Sequence, residues 1–124
     1  MSIQWVLVND ELLTATFYDT NITLNKASSS YFEDAYYVIV GVDVKNKIVI
    51  IKHLNKTEAG RGNIDKNSLL RINIRPSYGR ISSKRLMKEL EKVFDLDYQK
   101  HNKYKAEWDF AEKTLKIILD EVVK

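Results

Sequence analysis

The order of predicted elements occurs twice along this chain, and that recurrence is the strongest constraint on its fold. Asp-Val-Lys-Asn-Lys at 43–47 and Asp-Phe-Ala-Glu-Lys at 109–113 each join two apolar strands. Asn25-Lys26 and Ser83-Lys84 each place a polar capping residue and a lysine before a helical segment. Each half is therefore predicted as strand, helix, strand, turn, strand. One such half cannot bury its own apolar face, so we expect the two halves to pack together around a pseudo-twofold axis.

Hydrophobic periodicity gives the individual elements. Residues 3–8 and 12–18 are rich in strand-forming side chains and predict an N-terminal hairpin. Further strands are predicted at 22–24, 35–43, 47–53, 69–74, 103–109 and 114–119. A helical turn is expected at 26–32, a longer helix capped by Ser83 and running through Phe94, and a loop at 54–67. The predicted class is α+β and strand-dominated: two β-α-β-β units with a pseudo-twofold repeat plus an N-terminal β-hairpin.

The length of 124 residues predicts a single domain. Its expected parts are the hairpin at 1–20, a first unit at 21–54, a loop and basic strand at 55–78, and a second unit at 79–119. The absence of cysteine excludes disulfide scaffolds, thiolate zinc sites and cysteine nucleophiles. The first residues lack the features of a signal peptide, and no apolar run is long enough to span a bilayer. We therefore expect a cytoplasmic protein with no membrane partner.

Positive charge is concentrated in one segment of a nearly balanced chain. The whole sequence has 20 basic and 17 acidic residues, a formal net charge of +3. Residues 61–105 contain 12 basic and 5 acidic residues, a local net charge of +7, and all of the arginines lie between 61 and 85. A basic segment of this kind indicates a surface that faces a polyanion, because the guanidinium fork matches phosphate oxygens. The alternative is a solvated face that the acidic ends of the chain balance in space.

The start of the second-unit helix carries cations where helix electrostatics favour anions. Lys84 and Arg85 fall in the first turn, shortly after Arg80, although free amides there give a partial positive charge. A bound phosphate would balance this arrangement. Arg71 and Arg75, on the polar face of the preceding strand, extend the candidate site. The alternative is that these cations lie in solvent or pair with nearby acids, which are Glu89, Glu91, Asp95 and Asp97.

Two stretches resemble the AbrB/MraZ family of swapped-hairpin transcription regulators. They are Ile-Thr-Leu-Asn-Lys at 22–26 with the apolar strands that follow it, and Gly-Arg-Ile-Ser-Ser-Lys-Arg at 79–85 with the helix and last hairpin. MraZ-type chains carry two such units in tandem, so the resemblance implies the same build here. It also implies DNA binding through Arg80, Lys84 and Arg85, with Lys26 as the first-unit counterpart. The chain also resembles hypothetical proteins of Gram-positive bacteria.

Other chemistry is weakly represented in the sequence. His53 and His101 have no partner at metal-ligand spacing, so we expect no metal site, and no motif indicates a cofactor. We expect a nucleic-acid-binding protein and transcription regulator rather than an enzyme. Two alternatives remain open: a protein–protein module that forms homo-oligomers through an edge strand such as 3–8, and a small nuclease.

Overall fold

The computed structural model describes residues 2–4 and 12–123. Within them, eight antiparallel strands form one curled sheet, and three helices and three single 3₁₀ turns connect the strands. The strands are β1 (Thr14–Phe17), β2 (Asn21–Asn25), β3 (Tyr37–Asp43), β4 (Ile48–Leu54), β5 (Asn73–Ile74), β6 (Tyr78–Ser82), β7 (Lys103–Asp109) and β8 (Thr114–Val122). The helices are α1 (Lys26–Ser29), α2 (Lys56–Ala59) and α3 (Lys84–Phe94). The prediction of a strand-dominated α+β fold is confirmed.

Strand order in the sheet is β3-β4-β8-β7-β1-β2-β6-β5. β2 pairs with β6, and β4 pairs with β8, so segments far apart in sequence lie side by side. The sheet curls until its two edges approach each other. There Val38 in β3 and Leu70, just before β5, exchange backbone hydrogen bonds of 2.8 and 2.9 Å. Segment 69–74 therefore contacts β6 through β5 and contacts β3 through Leu70.

The concave side of the sheet encloses one hydrophobic core. Alternate residues of each strand point inward, as the period of two in a strand requires. The largest fully buried side chains come from both halves of the chain: Phe17, Phe32, Ile22, Leu24, Ile51, Leu54, Ile81, Met87, Leu115 and Ile117. Helix α3 contributes Met87 and Leu90 to this core. The Tyr98 hydroxyl donates to the Met87 carbonyl, and burial raises the pKa of Tyr98 to about 12.

Side-chain caps fix where the helices begin. The Asn25 side chain accepts a hydrogen bond from the Ser28 amide at 3.0 Å, and the Ser83 hydroxyl accepts from the Leu86 amide at 3.1 Å. Both caps were expected from the sequence. The prediction that 54–67 is an unstructured loop is wrong, because it contains α2. The signal was the pattern Asn55-x-x-Glu58, a capping box in which each side chain accepts from the other residue's amide.

The two turns that share a sequence pattern also share a geometry. Lys47 and Lys113 both adopt the left-handed conformation, with φ of 55° and 53°. Asp43 accepts hydrogen bonds from the Asn46 backbone and side chain, and Asp109 accepts from the amides of Ala111 and Glu112. Hydrogen bonds from Asn46 lower the pKa of Asp43, and the Glu112 amide lowers that of Asp109. The aspartate therefore organises each hairpin turn by collecting backbone donors.

Three sequence expectations differ in detail from the structure. Most of the first predicted strand, 3–8, lies outside the described residues. The second predicted strand, 12–18, is present as β1, and its partners are β2 and β7. Segment 69–74 has the expected alternation of half-buried and exposed residues, but only its last two residues form a strand, β5.

No helix in the described part of the chain is long and apolar enough to cross a membrane.

Gly79 lies where β6 meets α1, and its lack of a side chain permits that contact. A Cβ added at Gly79 would lie 2.8 Å from the Ser29 Cβ and 3.2 Å from the Ile74 Cδ1. We therefore expect Gly79→Ala to lower the free energy of unfolding by about 1–3 kcal/mol, the usual cost of overpacking. Urea denaturation measures this change. Gly41→Ala is the matched control, because a Cβ there meets nothing within 4 Å, and a similar loss in both variants would contradict the steric explanation.

Candidate nucleic-acid interface

A line of polar and basic residues crosses five adjacent strands on the convex side of the sheet. The backbone register places Lys103 of β7 opposite Thr16, Thr16 opposite Thr23, Thr23 opposite Arg80, and Arg80 opposite Asn73. Their chain neighbours point into the core, so these side chains point outward. At the usual spacing between strands the line is about 19 Å long. It contains no acidic residue.

Arg71 and Arg80 meet in a shallow depression beside this line. Both line an open cavity of about 440 Å³ together with Asn73 and Ser82. The Arg80 guanidinium lies over the Tyr78 ring, 4.9 Å from its centroid. A guanidinium held over an aromatic face keeps its edge N–H groups available for an anion. The structure therefore brings together two of the arginines that the sequence analysis singled out.

The other predicted residues lie around this depression rather than inside it. Arg75 is exposed at the end of β5, and its backbone amide donates to the Tyr78 carbonyl at 2.8 Å. Lys84 and Arg85 are exposed in the first turn of α3, which begins next to the β1–β2 turn through a bond from the Ser83 amide to the Thr20 carbonyl. Arg85 lines a separate depression of about 190 Å³.

Lys26 lies at the far end of the same pair of strands. Lys26 directly follows Asn25, the last residue of β2, which is opposite Tyr78. Lys84 lies shortly after Ser82, the last residue of β6, which is opposite Asn21. The antiparallel β2·β6 pair therefore has a helix start at each end, about 14 Å apart along the strands. We call the exposed cations next to β5, in β6 and β7 and at the two helix starts together the basic surface: Lys26, Arg71, Arg75, Arg80, Lys84, Arg85 and Lys103.

No cation of the basic surface belongs to an ion pair among the described residues. The ion pairs there join Lys47 to Asp120, His53 to Asp34, Lys92 to Glu89 and Lys116 to Asp109. Glu89, one of the expected partners of the helix-start cations, lies 3.8 Å from Lys92, but it also lines the depression of Arg85. The depression of Arg71 and Arg80 has no acid in its lining, so these two cations are the ones best placed to face an external anion.

Sequence analysis missed Lys103 and the threonines that connect it to the arginines. Lys103 belongs to the last hairpin, in which β7 pairs with β8. It lies on this surface because β7 also pairs with β1 on its other side. Thr16 and Thr23 alternate with apolar residues that are buried in their strands, and this alternation is the sequence signal that could have placed them on the outer face. The sequence did not contain the strand order that places them between Lys103 and Arg80.

A further cleft lies beside His53 at the end of β4 and the β7–β8 turn. It has a volume of about 270 Å³ and is lined by Tyr31, Asp34, His53, Trp108, Phe110 and Lys113. His53 Nε2 lies 2.9 Å from Asp34 Oδ1. A carboxylate only accepts, so Nε2 carries the imidazole proton when His53 is neutral. Buried Nδ1 then remains an acceptor with no partner among the described residues.

The comparisons and the search for metal ligands add no further assignment. No cluster of three or more potential metal ligands occurs in the part of the chain that the structure describes. Comparison with protein-family models, with curated proteins and with solved structures gives no match for this chain. The functional argument therefore depends on the geometry of the surface itself.

The bond between His53 and Asp34 gives a testable dependence of stability on pH. The His53 hydrogen bond lowers the pKa of Asp34 from its ordinary value of 3.8. The ionised Asp34 carboxylate therefore stabilises the fold fully at pH values above 3.8. This stabilisation is lost as the pH falls through the lowered pKa of Asp34. Because Asp34 is exposed, we expect Asp34→Asn to lower Tm by only about 1–4 °C at neutral pH, with no difference from wild type near pH 2.

Calorimetry at both pH values measures the difference. Glu33→Gln is the matched control, since Glu33 is an exposed neighbouring acid that does not line the cleft. We expect it to leave Tm unchanged at neutral pH. A Tm loss in Asp34→Asn that is equally large at both pH values would contradict the assignment.

Proposed function

We propose that this protein binds DNA through its phosphate backbone, with the basic surface as the contact area. The observation that carries the proposal is the acid-free line from Lys103 through Arg80 to Asn73, with Arg71 beside it. Lys and Arg side chains that neutralise phosphates release counterions, which gives affinity without sequence readout. The Thr16 hydroxyl and the Asn73 side-chain amide on this line supply additional donors to phosphate oxygens, whereas the Thr23 hydroxyl donates to Asn21 Oδ1 at 2.6 Å.

The dimensions of the basic surface suit a nucleic-acid backbone. About 19 Å of surface corresponds to the rise of about six base pairs at 3.4 Å each. Several phosphates of one strand can therefore contact the surface at once. Lys84 and Arg85 at one end, and Lys26 at the other, extend the contact beyond the central depression. None of these residues lies on a long exposed helix that would enter the major groove, so we infer contacts to the backbone rather than to base edges.

We further propose that the two β-α-β-β segments are equivalent units related by a pseudo-twofold axis. The strand pairing supports this proposal, because each unit pairs with the other in the same way. β2 pairs with β6, and β4 pairs with β8. β1 pairs with β2 and β7, and segment 69–74 contacts the corresponding strands, β6 and β3. The similar turns at 43–47 and 109–113 also support it. This is the build expected of a tandem-unit AbrB/MraZ relative, for which regulation of transcription is the role that the resemblance implies.

Binding of a mixed-sequence DNA duplex tests the proposed function. Fluorescence anisotropy at about 50 and 200 mM salt gives the affinity and its salt dependence. We expect Arg71→Ala/Arg80→Ala to weaken binding about tenfold or more at low salt and to reduce the salt slope by about 1.8, because two phosphate contacts are lost. A second variant, Arg80→Ala/Lys84→Ala/Arg85→Ala, tests the helix-start cations.

Lys45→Ala/Lys92→Ala is the matched control. It removes the same charge from exposed positions outside the basic surface, and the Lys92–Glu89 pair that it breaks is exposed and contributes little. We expect its affinity and salt slope to equal those of wild type. No binding by wild type at about 50 mM salt with tens of micromolar protein would overturn the proposal.

A second candidate function is self-association through an apolar face. On the convex side, half-buried Ile48 lies between Ile118 and Asp43, and half-buried Ile50 lies between Gly41 and Lys116, so this apolar patch is small and bordered by charged residues. Val44, in the adjacent turn, is 58% exposed. Grouped apolar side chains on a sheet surface indicate a protein contact. This face lies on different strands from the basic surface, so both functions are compatible.

Sedimentation velocity tests self-association. We expect wild type to form a dimer whose fraction rises with concentration, and Ile50→Lys to sediment as a monomer because a charge would lie in the contact. Lys45→Ala, outside the isoleucine cluster, is expected to behave as wild type. A monomeric wild type at about 100 µM, a concentration at which micromolar dimers persist, would remove this candidate.

A further inference from the structure

A cavity lies between the loop at 54–69 and the start of β3, outside the depression on the convex face. Its volume is about 490 Å³, within the usual range for small-molecule sites. The lining residues are Tyr36, Tyr37, Lys56, Ala59, Gly60, Lys66 and Leu69. The cavity is thus built from two tyrosines, two lysines and small or apolar residues, with no acid among them.

The tyrosines form an aromatic corner. Their rings lie 4.9 Å apart at 87° to each other. The Arg71 guanidinium lies 5.6 Å from the Tyr36 centroid and 5.0 Å from the Tyr37 centroid, and its Nη2 lies 3.5 Å from the Tyr37 hydroxyl. Arg71 therefore contacts both rings, and a cation over a ring face is attracted to it. Tyr36 is 42% exposed, so an incoming planar group can reach the corner from solvent.

The lysines give the cavity its charge. Lys56 lies on α2 and Lys66 on the 3₁₀ turn Lys66–Ser68, so two different elements contribute them. Neither belongs to an ion pair among the described residues. The nearby acids have other partners: Glu58 accepts from the Asn55 amide at 3.0 Å, and Asp65 accepts from the Asn67 amide at 2.9 Å. Both carboxylates thereby cap the elements that present the lysines.

We infer that this cavity binds a nucleotide, with the base against the tyrosine corner and the phosphate near Lys56 and Lys66. A planar π system prefers an aromatic contact, and an ammonium group is a compact partner for phosphate. The ligand is either a free nucleotide or an unstacked nucleotide of a single strand, since both present the same chemistry. Arg71 lies between the cavity and the Arg80 depression, so a single strand bound here continues onto the basic surface.

Amide NMR spectra of the full chain test the site with three probes: adenosine monophosphate, adenosine, and single-stranded hexathymidylate. We expect adenosine monophosphate, at concentrations up to about 5 mM, to shift the amides of Tyr36, Tyr37, Gly60 and Leu69. Adenosine, which lacks the phosphate, is expected to bind about tenfold more weakly. Shifts at these residues with hexathymidylate alone would assign the site to single-stranded nucleic acid. No shift there with either phosphate-containing probe would overturn the proposal.

Two variants separate the roles of the residues. Lys56→Glu/Lys66→Glu is expected to weaken binding of the phosphate-containing probes about tenfold or more and to leave adenosine binding unchanged. Tyr36→Ala is expected to weaken binding of every probe that binds wild type. Lys45→Glu/Lys92→Glu makes the same charge change at exposed positions outside the cavity and is expected to bind like wild type. Equal weakening in both double variants would show a general charge effect and overturn the site.

Failure of this site is distinguishable from failure of the duplex-binding proposal. The inference does not require duplex binding, because Lys56, Lys66 and Tyr36 lie outside the basic surface. Because Arg71 contacts both tyrosines of the cavity, duplex affinity is compared here with Arg80→Ala/Lys84→Ala/Arg85→Ala, which does not touch the cavity lining, and nucleotide affinity with the cavity variants. If adenosine monophosphate shifts only Thr23 and Arg80, the phosphate binds to the basic surface, and the nucleotide cavity is refuted.

Discussion

Antiparallel pairing of β2 with β6, and of β4 with β8, is the interaction on which the rest of the structure depends. These pairings join segments about 60 residues apart in sequence, and they place Ile22, Ile51, Ile81 and Leu115 in one buried core. Neither half of the chain has enough apolar surface on its own to exclude water from its inner face. Closure at Val38 and Leu70 then completes the enclosure, because the sheet edges satisfy each other there.

The same pairings determine where charge accumulates. When β1 lies between β7 and β2, a lysine of the last hairpin aligns with the threonines of the first half and with Arg80. Inward positions are taken by the core, so the outward positions of these strands are free to be polar. The alignment of Lys103 with Arg80 thus follows from the sheet order, while the outward positions of β4 and β8 carry both isoleucines and lysines.

Local order around the Tyr36–Tyr37 cavity has a different source. Few long-range contacts hold α2 and the turn at 66–68, and their positions depend on side-chain caps from Asn55, Glu58 and Asp65. The Glu58 and Asp65 carboxylates accept from backbone amides, and neither forms an ion pair with Lys56 or Lys66 among the described residues. A polar loop without hydrophobic periodicity can therefore still present a shaped and charged cavity.

Local structure and the distribution of charge along the chain could be predicted from the amino-acid sequence. Alternation of apolar residues predicted the strands, and Asn25 and Ser83 predicted the helix starts, because periodicity and capping act over a few residues. The concentration of arginines between 61 and 85 predicted a basic surface. The shared depression of Arg71 and Arg80, the position of Lys103 on the same line of strands, and the cavity between the tyrosines and Lys56 and Lys66 could not be predicted in this way. Those contacts depend on strand order and register, which are set by long-range packing of the whole core.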